Sequence, residues 1–82
     1  MCGAVSPQQL ALGRAVRELR GRRNISQEEL GARSQLHRNY VGAVERGEIN
    51  ASFRTLLRCA VGLRVKLSDL IVIYERQLAD AE

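Results

Sequence analysis

Aromatic side chains are scarce in this chain: Phe53, Tyr40 and Tyr74 are the whole set, and there is no tryptophan. Yet 45% of the residues are apolar. Any core must therefore come from Leu, Val, Ile and Ala, which suits packed helices better than a β-sandwich. Proline occurs once, at Pro7, so nothing later in the chain interrupts a helix, and the many Leu, Ala, Arg, Glu and Gln favour one. Cysteine occurs twice. Cys2 and Cys59 lie too far apart for a disulfide framework and fit a reduced protein. Cys59, inside a helical pattern, reads as a small buried hydrophobe. A single histidine, His37, offers no metal-ligand set. No apolar run approaches membrane-spanning length and no charged-then-apolar leader opens the chain, which points to the cytoplasm. With no nucleophile–base pair and no glycine-rich phosphate loop, the expectation is a binding protein, not an enzyme, with neither cofactor nor metal.

Lysine is the last scarcity. Of 13 basic residues against 9 acidic ones, only Lys66 is not arginine. Arginine's planar fork suits phosphates and guanine edges better than a point charge does, although many of these arginines can equally be solvated surface. The excess of positive charge lies before residue 65; the last stretch, with Asp69, Glu75, Asp80 and Glu82, is mildly acidic. Eighty-two residues make one domain, 1–82, with one modest core.

Five helices are expected. Ser6-Pro7 opens the first, a capping hydroxyl followed by proline at the first helical position. Leu12, Ala15, Val16 and Leu19 give it an inward face, and Arg23-Asn24 a break, since asparagine tolerates left-handed geometry. Ser26 to Glu29 is a capping box, with Ile25 and Leu30 placed as a hydrophobic staple. It opens a short helix from Gln27 to about Arg33. A third runs from about Arg38 to Arg46 with Val41 and Val44 inward, ended by Gly47. Ser52 caps a fourth, whose apolar stripe is Phe53, Leu56, Leu57, Ala60 and Leu63. The fifth opens at Lys66 to Asp69 and carries Leu67, Leu70, Ile71 and Tyr74 on one face. The second and third helices, about 26–47, have the layout of a helix-turn-helix whose second helix can lie in the DNA major groove.

In this order and at these spacings, the run Leu12 to Arg20, the segment Ser26 to Leu30, the Val41 to Gly47 stretch VGAVERG and the segment Ser52 to Leu70 resemble the Cro and phage-repressor-like regulators, the XRE family. The stretch HRNYVGAVERG most resembles the controller proteins of restriction–modification systems. The resemblance implies an all-α five-helix bundle that binds double-stranded DNA. It also implies residue roles. Gln27 matches a glutamine that bonds a phosphate and braces the recognition helix. Arg38 and Asn39 match positions that meet base edges, and Ala43 a further one that offers only a methyl. Tyr40 matches a backbone contact, though its ring has an equal alternative packing over the seam of the first and third helices. Arg46 and Asn50 match phosphate contacts, and Arg20 with Glu45 a structural ion pair between the first and third helices.

Three positions depart from the family pattern. His37 replaces the usual hydroxyl cap and can serve as a cap or as a contact. Gln35 fills a turn position often held by glycine, so left-handed strain is expected. Gly42 stands mid-helix and, with Ala43, is expected to leave the later part of the reading face bare. The last helix is apolar around its side at Val72 and Ile73, which points to a homodimer interface; a twofold partner would set two recognition helices about 34 Å apart on a palindrome-like site. Two other readings are an antitoxin with a toxin partner, and a protein-interaction adaptor that reads no DNA. The basic body speaks against the adaptor.

Overall fold

The computed structural model describes residues 6–80, so Cys2 lies outside the described residues. Its elements are α1 (Pro7–Arg23), α2 (Gln27–Ser34), α3 (Arg38–Glu45), α4 (Phe53–Leu63) and α5 (Leu67–Asp80), with no strand among the described residues. Each start has a local cause. The hydroxyls of Ser6, Ser26 and Ser52 accept from the backbone N–H groups of Gln9, Glu29 and Thr55 at 3.0–3.2 Å. The capping box at Ser26 is only half formed. The Glu29 carboxylate accepts from Arg33 at 2.7 Å one turn on, because a charged donor outcompetes a neutral amide. At α5 the other half appears: Asp69 accepts from the Lys66 amide at 3.4 Å.

Four helices end the same way. Paired bonds, such as Glu48 N–H to the Ala43 carbonyl and Gly47 N–H to that of Val44, close Schellman motifs after α1, α2, α3 and α4. The left-handed residue is Asn24 (φ 57°), Gln35 (58°), Gly47 (78°) and Arg64 (59°) in turn. Only one of the four is glycine. Arg64 has no stop signal in the sequence, and the Arg23 side chain holds that corner by donating to the carbonyls of Leu63 and Arg64.

One core joins all five helices through Val16, Leu19, Leu30, Val41, Val44, Leu63, Leu70 and their neighbours. Cys59 lies within it, and burial pushes its thiol up to about 11. Gly13 lets α1 press against the end of α3: a Cβ there would stand 2.4 Å from the Glu45 carbonyl oxygen.

Two sequence expectations need correction. Ile73 is not on the outside. It is 7% exposed and belongs to the core of the single chain, because α5 lies along α1 for most of its length. Of the expected pair, only Val72 is exposed. On α4, Leu56, Ala60 and Leu63 of the expected stripe do face the core, joined by Thr55, Cys59 and Gly62, but Phe53 and Leu57 do not. Phe53 (65% exposed), Leu57 (41%) and Val61 (70%), each one turn from the next, face solvent.

Candidate nucleic-acid interface

The placement of α3 is fixed by one buried carboxylate. Glu45, at the end of α3, has a side chain with no solvent exposure. Arg20 of α1 grips it with two bonds, Nε to Oε2 at 2.7 Å and Nη2 to Oε1 at 3.0 Å. The third nitrogen of Arg20 donates to the Ile25 carbonyl at 3.0 Å, which ties in the turn before α2. Gln27, in the first turn of α2, donates its Nε2 to Glu45 Oε1 at 2.9 Å. Arg17 adds a third, more exposed partner at 3.5 Å. Burial raises the Glu45 carboxyl pKa, but hydrogen bonds from Arg20 and Gln27 and the charges of Arg20 and Arg17 outweigh it, so the group sits below the usual carboxylate range. Arg20 and Glu45 are thus the ion pair expected between α1 and α3, and three elements converge on a single charge.

That hub presents the start of α3 to solvent. His37 caps the helix, its Nδ1 accepting from the Asn39 N–H at 3.0 Å. Arg38 and Asn39 follow, both exposed. The Arg38 guanidinium lies 3.7 Å from a Glu28 carboxylate oxygen. Tyr40 is half-buried against the core, and its hydroxyl lies 3.3 Å from Thr55 Oγ1. Its hydroxyl therefore reaches α4 while its ring packs on the core. Ala43 is half-buried, Gln27 half-buried, and Arg46 and Asn50 exposed.

Gly42 is not bare, as its lack of a side chain suggested. It is buried, and a Cβ there would meet Arg46 Nη1 at 3.1 Å and Gln27 Oε1 at 3.4 Å. Two long side chains from either end of the motif cross over it. Sequence reasoning also missed the acidic neighbours of this surface. Glu48 takes both Nε and Nη2 of Arg46, at 2.8 and 3.2 Å. The signal was present in the Gly47 stop, which turns residue 48 back toward α3.

Comparison with known proteins agrees with this geometry. Residues 16–70 match the model of the family described as helix-turn-helix, HTH_3. The chain belongs to the helix-turn-helix family. It is 42% identical over 60 residues to control protein C.SmaI of Serratia marcescens, covering 73% of this chain and 71% of that one. It is 36% identical over 63 residues to control protein C.BamHI of Bacillus amyloliquefaciens, covering 76% and 78%. Among solved structures, the restriction-modification controller protein C.AhdI from Aeromonas hydrophila superposes with a TM-score of 0.73 at 40% identity, over 76% of this chain and 94% of that one. This helix-turn-helix chain is a DNA-binding transcription regulator, and its HTH match spans both α2 and α3.

Proposed function

We propose that the chain acts in the cytoplasm as a homodimer that binds a palindrome-like operator, by binding and not by chemistry. The observation that carries this reading is the exposed pair Arg38 and Asn39 at the start of a helix locked in place by Glu45. In a major groove, Arg38 would fork onto a guanine edge and Asn39 onto adenine or a phosphate. Gln27, Tyr40, Arg46 and Asn50 border this turn and would meet the backbone. His37 is occupied as a cap through Nδ1, which leaves Nε2 for a phosphate or base. Ala43 would add at most an apolar contact. No observation favours the antitoxin or the adaptor reading.

The dimer surface fits α4 better than α5. Three large apolar side chains in one row, Phe53, Leu57 and Val61, face solvent, against Val72 alone on α5. The contact of Tyr40 with Thr55 couples the first turn of α4 to α3, so a twofold axis beside α4 would fix the spacing of two recognition helices. Selection of bound sequences from a random duplex pool tests the reading: a palindromic consensus is expected, and absence of enrichment refutes it. Arg38→Ala should cost about 1–3 kcal/mol on the selected site and relax its discrimination; equal loss on every sequence would make Arg38 a phosphate contact. On size exclusion, Leu57→Glu should shift the protein toward a monomer while Val72→Lys should not.

A further inference from the structure

Both arginines at the reading surface are already matched by carboxylates of the same chain. Arg46 meets Glu48 fork on fork, at 2.8 and 3.2 Å. The backbone of Glu48 is itself pinned, because its N–H closes the Schellman bond to the Ala43 carbonyl at 2.9 Å. The remaining nitrogen of Arg46 lies over Gly42 beside the Gln27 carboxamide. Hydrogen bonding to Arg46 holds the Glu48 carboxyl below its ordinary range, and the same bonds raise Arg46. Arg38 shows a looser version with Glu28, at 3.7 Å. A guanidinium fork that fits a carboxylate also fits a phosphate. Each carboxylate therefore stands where a DNA phosphate would be drawn.

We propose that Glu48, and more weakly Glu28, are built-in competitors for DNA phosphate that hold down the affinity of this face for duplexes of any sequence. The proposal rests on the DNA-reading role given above. Two effects oppose each other here. Pairing orders Arg46, which favours a later contact. The carboxylate also cancels the charge of Arg46 and must be displaced, or left beside a phosphate that repels it. The four side chains are 51–75% exposed, where ordering by an ion pair is worth little. Phosphate affinity, by contrast, scales with the charge that releases counterions. The electrostatic cost therefore outweighs the gain from ordering.

The test is binding of wild type, Glu48→Gln and Glu28→Gln to a fluorescent random-sequence duplex across a salt series. Glu48→Gln should bind about two- to fivefold tighter, with a salt slope steeper by about one. Glu28→Gln should show a smaller gain, as its longer separation requires. Adding Arg46→Gln to Glu48→Gln should abolish the gain. Unchanged or weaker binding by Glu48→Gln, with wild type still binding, overturns the proposal and makes Glu48 a positioning residue for Arg46. Failure of wild type to bind any duplex overturns instead the DNA-reading role of the whole face. Thermal melts control for folding; Glu48→Gln keeps the backbone bond that shapes the turn.

Discussion

Replacing Glu45 by glutamine tests the hub with almost no change of shape. The substitution removes the one negative charge shared by Arg20, Gln27 and Arg17. It also turns half of the acceptor into a donor that faces other donors. Breaking a fully buried pair costs about 3–5 kcal/mol, because a charge is left unpaired. Here the Arg20 side chain keeps 20% exposure and Arg17 62%, so both cations can reach water. A loss of about 2–3 kcal/mol is the consistent figure. A domain of this size holds roughly 4–12 kcal/mol in total, so the variant should still fold, with a melting temperature lower by about 10–20 °C. Calorimetry or a circular-dichroism melt measures it. A double-mutant cycle supplies the decisive arm. Arg20→Met with Glu45→Met removes both charges and should recover most of the loss. A Glu45→Gln melt within about 2 °C of wild type would refute the reasoning. So would a double variant whose loss is simply the sum of the two singles.

Other consequences follow from the same geometry. The carboxyls of Glu45, Glu18 and Glu48 all sit below their ordinary value of 4.5. A group whose pKa is lowered by folding stabilises the fold above its unfolded pKa and loses that contribution as pH falls through the folded value. Stability should therefore be flat above the carboxylate range and fall below about pH 4.5, less steeply in Glu45→Gln, as pH-dependent melts would show. Arg64→Gly should raise stability by about 0.5–1 kcal/mol by relieving a left-handed φ of 59°; a destabilised variant would mean that the arginine side chain supports the corner. Gly62→Ala should cost about 1–3 kcal/mol, since its Cβ would stand 2.2 Å from Ser34 Oγ and 2.8 Å from a Leu30 methyl. Ser34→Ala, which deletes a buried hydroxyl with no partner among the described residues, should be neutral or stabilising in denaturant titration.

What was legible in the sequence is what depends on neighbours along the chain. Ser6, Ser26 and Ser52 announce their helices because a cap needs only the next three residues. Asn24 and Gly47 announce stops for the same reason. Arg64 does not, because its stop is held from α1 by Arg23, 41 residues away. The edge of the α4 stripe is not legible, because the helix is apolar around most of its girth. Thr55 lies inward, where it meets Ser52 and Tyr40, and Phe53 and Leu57 lie on the far side of the helix. Ile73 reads as available to a partner for a related reason: nothing in a row of apolar residues says which one α1 will cover. At the candidate site, His37 to Tyr40 stand out by type and order. The pairing of Arg20 with Glu45 spans 25 residues and was available only through resemblance to a family.

The placement of α3 therefore depends more on charge than on helix-forming tendency. Eight residues are too few for a helix to hold itself together in water, and α3 carries a glycine at position 42 that weakens it further. Its end is held by Glu45 and its start by a histidine cap, while its middle is crossed by Gln27 and Arg46. Ordinary propensity would favour alanine at position 42. The added methyl would press on Arg46 and Gln27, two of the groups expected to meet phosphate. A more stable recognition helix is then not a better reader. The same trade is proposed for Arg46, whose pairing with Glu48 satisfies the free protein and would oppose a phosphate contact.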